Sequence, residues 1–453
     1  MKTTRTETDS FGSLELPMDV LWGVQTARSL HFFSIGTQRM PIEIIHALAH
    51  IKWAAATVNA QLGLLDPAKA EAISLAAQRI ADAQLDDAFP LSVWQTGSGT
   101  QSNMNVNEVI TALAGQAGVR VHANDDVNLG QSSNDVFPTA MHIATLYQTH
   151  HRLLPALYAL HESLLYKSMA FKDLVKVGRT HLQDATPVTL GQEFGGYAAQ
   201  LALCQTSLQQ ALSAVAALAI GGTAVGTGLN THPEFGSRVA ACLASRLSLP
   251  LRQADNLFAA MAGHEALVAL HAGLRTLAIA LNKIGNDIRL MGSGPRAGLG
   301  ELQLPQNEAG SSIMPGKVNP TQAEALCMVC AQVMGHDVAI GMAAAQGQLE
   351  LNVYKPLIAL DLLDSIRLLG DAMQSFRQHC VAGLQAQEEQ LALNLERCLM
   401  LVTALTPHIG YDRSAQIAKQ AQQQGSSLRE AALQLGYVTA PQFDAWVNPR
   451  SML

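Results

Sequence analysis

Residues 267–291 read LVALHAGLRTLAIALNKIGNDIRLM, and within them Leu267, Leu270, Leu274, Leu277, Leu281, Ile284, Ile288 and Met291 step alternately by three and four. An apolar repeat of that kind, kept up over several heptads, specifies a helix that packs nearly parallel or antiparallel to others. The spacing recurs through Phe194, Tyr197, Leu201, Cys204, Leu208, Ala211, Val215 and Leu218. A shorter run at Leu153, Leu157, Leu160 and Leu164 contains Pro155, which predicts a kink. Residues 320–345 and 356–380 are helical in pattern as well. Several of these helices are apolar on the opposite face too (Val268, Ala269, Ala278, Ile279), which predicts burial nearly all round. The first 130 or so residues mix short helices with turns. Past about residue 389 the chain turns polar, with a Gln-rich run from Lys419 to Gly425. The expected fold is therefore all-α. An elongated central bundle of five long helices (132–388) lies between a smaller mixed N-terminal domain (1–131) and a small helical C-terminal domain (389–453).

Composition narrows the function. Of 453 residues, 48% are hydrophobic and only 14% charged, against roughly 25% charged in an average soluble protein. So few charges leave little surface for water, and burial between subunits accounts for that most simply. Residues 194–233 contain no Asp, Glu, Lys or Arg, but Gln200, Gln205, Gln209, Gln210 and many alanines interrupt them. A bilayer span needs about 20 strongly apolar residues, so no membrane association is expected. The net charge of −7, with no Lys/Arg-rich run, argues against nucleic acid. An anionic substrate needs only local positive groups. Cys327 and Cys330 form a C-x-x-C with no second pair in the middle of a helical pattern, and read as two buried thiols. The N-terminus lacks the apolar run of a secretory signal, so a cytoplasmic location is expected. His122, Asp125 and Asp126 have no second ligand set at coordination spacing, and no metal is expected. Gly97-Ser98-Gly99 lacks the third glycine and preceding strand of a dinucleotide site, and no phosphate loop occurs; no cofactor is expected.

Four polar segments interrupt the apolar architecture, each expected at the start of a helix. They are Thr96–Asn103 (TGSGTQSN), Gln131–Asp135 (QSSND), Gly178–Asp184 (GRTHLQD) and Gly310–Pro320 (GSSIMPGKVNP). Thr186-Pro187 and Asn319-Pro320 read as an N-cap followed by proline at the first helical position. Helix N-termini with free N–H groups and nearby hydroxyls can receive a dianion. Capping alone explains any one cluster. Four together, one with a lysine and one with a histidine, point further.

The last segment, read as G-S-S-x-M-P-x-K-x-N, resembles the hallmark loop of the fumarase/aspartase superfamily. Leu21-Trp22-Gly23 with Thr26 and Arg28, the stretches 94–108, 124–142 and 178–196, Asn286–Arg289 and His408–Asp412 resemble class II fumarases. Gly316, Thr321–Glu324 and Tyr411-Asp412 favour fumarase over aspartase, the alternative being an aspartate ammonia-lyase or another lyase of the superfamily. The resemblance implies cofactor-free reversible hydration of a small dicarboxylate, fumarate, to L-malate. It also implies a homotetramer with active sites shared between subunits. By the same resemblance Ser311 is the base, and His181, hydrogen-bonded to Glu324, handles the water. Ser98, Thr100, Ser132, Ser133, Asn134, Thr180, Lys317 and Asn319 hold the carboxylates and the developing charge. His122, Asn124 and Asp125 resemble a second anion site near the entrance, although Ala123 replaces the family's usual proline and the stretch before it is short.

Overall fold

The computed structural model describes residues 4–453, and among them the chain is α-helical with only four two-stranded pairings. It divides into two compact units, each assembled from three stretches of sequence: 1–155, 204–278 and 330–370 in one, and 156–203, 279–329 and 371–453 in the other.

In the first unit, helices Ile42–Gln61 and Pro67–Ala81 pack against each other, the second opened by Asp66, whose side chain accepts N–H bonds from Ala68 and Lys69. Thr100–Gln116 and Ser133–Gln148 follow. The expected disturbance at Pro155 occurs as a wide π-helical turn over Thr149–Leu153, immediately before the helix Leu154–Ala170. Proline offers no N–H and crowds the carbonyl four residues back, so the turn widens ahead of it. Apart from half-buried Ala211, the apolar repeats are buried as predicted; Leu267, Leu270, Leu274 and Leu277 are each 0% exposed. Polar groups also bond helix to helix inside this unit. His271 Nδ1 lies 2.9 Å from Asp337 and its Nε2 2.9 Å from Ser365 Oγ, while His336 Nδ1 reaches the same hydroxyl at 3.0 Å. Asp337 also takes Arg275 at 2.7 Å. The helices Glu265–Met291 and Thr321–Ala344, which contribute to this network, are long and apolar enough by length and composition to cross a membrane. Leu218, the last member of its repeat, lies beyond the helix end at Val215 and joins a short parallel pair with Arg252-Gln253.

In the second unit the hairpin Val175–Thr180/Gln183–Thr189 replaces the helix start expected at Thr186-Pro187. Pro187 pairs with Val177 in that ladder, and the helix opens later, at Leu190. Thr189 caps it: Gln192 N donates to Thr189 Oγ1 and Thr189 N to Gln192 Oε1. The alternation Val175, Val177 against Val188 is a strand period that the helical reading missed. The helix after Asn319-Pro320 begins one residue late, since Glu324 N bonds to Pro320 O and makes the proline the cap. A distinct core of Leu401, Leu405, Ile417, Leu428, Ala431 and Phe443 supports the C-terminal helices.

Buried charge fastens the hairpin. Lys176, 1% exposed, bonds both oxygens of Glu193 at 2.8 Å and lies 2.9 Å from Glu301 Oε2. Arg179 reaches the other oxygen of Glu301, itself 0% exposed, at 2.8 Å. Breaking a buried pair from one side strands the remaining charge. We expect Glu301→Ala to cost about 3–5 kcal/mol, read from the denaturant midpoint. Glu193→Ala should cost less, since Lys176 keeps Glu301; equal losses would mean that Glu301 does not anchor the hairpin.

Candidate active site

The first unit brings five of the proposed binding residues onto two adjacent loops. In the loop before Thr100–Gln116, Ser98 Oγ and Thr100 Oγ1 are 2.9 Å apart. Gly99 has φ +77°, and a Cβ there would meet the Phe137 ring at 2.2 Å, so the turn needs glycine on both conformational and steric grounds. The second loop enters Ser133–Gln148 through a capping box: Ser132 Oγ accepts from Asn134 N, and Asp135 accepts from Ser132 N at 2.9 Å. Asn103 Nδ2 donates to Ser133 Oγ at 3.0 Å and so ties the loops together. Asn134 Nδ2 donates to Ala224 O at 2.9 Å.

Several supporting residues, some of them inside the quoted polar segments, were assigned no role from the sequence. Asn128 Oδ1 accepts from Lys52 Nζ at 2.8 Å and from the amides of Asn103 and Asn107 at 3.2 Å. Lys52 also donates to Gln131 Oε1 at 3.0 Å. Asp135 Oδ2 accepts from Gly221 and Thr223 N–H groups at 2.9 and 3.0 Å. Burial pushes its carboxyl up to about 6 against the pull of three N–H donors and of Lys52. A signal for this network was present: Asn103, Asn105 and Asn107 are poor helix formers placed two apart inside a helix, and all three are buried.

The second unit carries Thr180, His181, Ser311, Lys317, Asn319 and Glu324, mostly at exposed positions, whereas the His122, Asn124 and Asp125 turn belongs to the first. Thr180 ends a strand, and His181-Leu182 form the two-residue turn to Gln183. Both turn residues adopt left-handed φ, 57° and 61°. That is the twist a two-residue hairpin favours, but it is costly without glycine. On the 310–320 loop Ser311 Oγ accepts N–H bonds from Ile313 at 3.2 Å and Met314 at 3.0 Å. Asn319 Nδ2 donates to Gly310 O at 2.5 Å, and Gly310 N to Lys317 O at 3.1 Å, closing the loop at its base. Two N–H groups aimed at one hydroxyl oxygen favour its ionised form. Lys317 and Glu324 are exposed, and among the described residues no hydrogen bond joins His181 to Glu324 or to Ser311. His122, Asn124 and Asp125 lie at an exposed π-helical turn where His122 Nδ1 sits 3.0 Å from the Asp125 carboxylate. Among the described residues no three His, Cys, Asp or Glu side chains are grouped to hold a metal.

Comparison with known proteins gives this arrangement its family. A family model described as a lyase matches residues 12–335, and one described as the fumarase C C-terminus matches 401–453. The fumarate hydratase class II of Chromobacterium violaceum is 59% identical over 459 residues, covering 100% of both chains. That of Thermosynechococcus vestitus is 58% identical over 457 residues, covering 99% of this chain and 98% of the relative. The crystal structure of the recombinant class II fumarase from Schistosoma mansoni superposes with a TM-score of 0.97 at 45% identity, with 99% of each chain covered. Two loops of hydroxyls and amides, a strained exposed histidine turn and a serine that receives two N–H groups thus sit in a chain that belongs to the class II fumarases.

Proposed function

We propose that this chain is a hydro-lyase, a fumarate hydratase that interconverts fumarate and L-malate by acid–base chemistry with no metal or organic cofactor. The full-length identity to class II fumarate hydratases carries this reading. Removing the C–H proton of malate places a second negative charge on an existing carboxylate. Only donors that bind this aci-carboxylate more strongly than the ground state lower the barrier. Lys317 and Asn319 serve there, and Ser98, Thr100, Ser132, Ser133, Asn134 and Thr180 hold the carboxylates. Ser311 is the base. A serine is a poor base in water, but the N–H groups of Ile313 and Met314 stabilise its alkoxide, and Lys317 adds positive charge from the same loop. His181 transfers the proton of the water, oriented by a Glu324 carboxylate.

Among the described residues of one chain nothing pairs His181 with Glu324, so we assign that pair to different subunits of a homotetramer. Exposed apolar side chains on the long helices support such packing: Leu203 is 67% exposed, Met328 68%, Val338 63% and Met342 67%. A monomer rarely leaves so much apolar surface in water. Within the chain Ala269 and Ile279 are exposed as well, and the all-round burial expected of these helices would come from neighbouring copies. The same reading keeps the three domains 1–131, 132–388 and 389–453. It also places the enzyme in the cytoplasm, with no nucleic-acid or membrane partner. The His122, Asn124 and Asp125 turn remains a candidate second anion site, weakened by the Asp125 carboxylate beside His122.

Malate, and not aspartate, should raise the absorbance of fumarate when mixed with the enzyme; release from aspartate alone would reverse the assignment in favour of an ammonia-lyase. Ser311→Ala should abolish turnover with assembly intact. His181→Asn should be milder, since a general acid–base group contributes typically about 10²–10⁴-fold. If the serine variant kept more activity than the histidine variant, the base would be wrongly assigned.

Shared sites make a separate prediction. Asn134→Ala and His181→Asn chains, each nearly inactive, should regain activity when unfolded together and refolded as mixed oligomers. Mixed tetramers seen by native mass spectrometry without recovered activity would place both residues in one chain's site.

A further inference from the structure

Lys355 opens the helix Lys355–Phe376 and is 0% exposed. Its backbone N–H donates to Gly97 O at 3.1 Å. A Cβ on Gly97 would lie 1.4 Å from Val353 O, so the segment ending at Lys355 packs directly beneath the Gly97–Thr100 loop. The ammonium donates to the carbonyl of Asn352, which is itself buried and bonded through Nδ2 to Ala343 O at 3.0 Å. Among the described residues no carboxylate pairs with it, and burial alone pushes it down to about 7. Its neighbours are basic. His264, 2% exposed, has no hydrogen-bond partner at either ring nitrogen. Burial holds that ring neutral, reinforced by Lys355 and His142. His142, also buried, reaches Val215 O at 2.8 Å.

Lys167, 9% exposed, also bonds only backbone carbonyls, those of Ala382 and Leu384, but two buried lysines nearer to acids are treated differently. Lys52 has two amide oxygens and the Asp135 charge nearby, and Lys176 has Glu193 and Glu301. A buried cation without a counter-ion is expensive, and this one lies under a loop whose own side chains, Ser98 and Thr100, carry no charge. We propose that Lys355 is a positioning residue for dianion binding, supplying from below the Gly97–Thr100 loop the positive potential that the loop lacks. A bound carboxylate would furnish the missing counter-charge, and the buried site screens that attraction less than water does. The proposal rests on the reading of this loop as a carboxylate receptor.

Lys355→Met and Lys355→Arg tetramers, assayed with malate alongside Ser98→Ala, test it. The methionine variant should raise KM about tenfold or more, as loss of one charge in a low-dielectric site implies. Its kcat should stay near that of the parent, and its thermal midpoint should be unchanged or higher because an unpaired buried charge is gone. The arginine variant, which keeps the charge, should keep KM within about threefold. A methionine variant with parental KM, or one that unfolds earlier or fails to assemble, would overturn the proposal by making the ammonium idle or structural. So would an arginine variant as impaired as the methionine one. If Ser98→Ala leaves KM unchanged, the receptor reading of the loop falls; if it raises KM while Lys355→Met does not, only the role of Lys355 falls.

Discussion

The carboxylate of Asp135 is fully buried, and it accepts N–H groups from Ser132, Gly221 and Thr223. An ionisable group can be kept from water only when hydrogen bonds or opposite charge replace its hydration. That constraint fixes the start of one helix against a loop more than eighty residues away, and with it the orientation of Ser132, Ser133 and Asn134. Lys52 and the Asn103, Asn107 and Asn128 amides extend the arrangement toward Ser98 and Thr100. The proposed receptor is therefore preorganised by groups that need never touch a substrate.

Glu301 plays the corresponding part in the other unit. It anchors Lys176 and Arg179 on the hairpin whose turn is His181-Leu182, and its backbone carbonyl accepts from Gln387 N. Strain at two left-handed residues persists only where the surroundings over-determine it, and the paired strands with their buried charges do so. The 310–320 loop is held differently. It closes on its own backbone through Gly310, Lys317 and Asn319, while Ile313 and Met314 stay largely exposed. A loop bonded mainly to itself can move as a body, which suits the role proposed for Ser311 as a base on a closing loop.

The low charge content has a physical counterpart in Leu203, Met328, Val338 and Met342, apolar side chains that the chain itself leaves uncovered. A single copy presents hydroxyls and amides in one unit, and a serine, lysine and histidine in the other. The homotetramer proposed above would link catalysis to assembly, because apolar faces packed between copies would also bring the chemical groups together.

The sequence by itself determined the helices and their inward faces. The three–four spacing from Leu267 to Met291 decides which side chains can be buried together, and all eight are. It determined the candidate residues too, through an irregular motif around Ser311 whose polar side chains have no use in an apolar core. It did not determine the hairpin at 175–189, because a proline after a threonine reads equally well as a helix start when the strand partner is out of view. Nor did it reveal Lys52, Asp135, Glu301 or Lys355 as organising charges. Whether a lysine is solvated or buried, and whether a carboxylate faces it, depends on segments 76 to 258 residues apart that only the folded chain brings together.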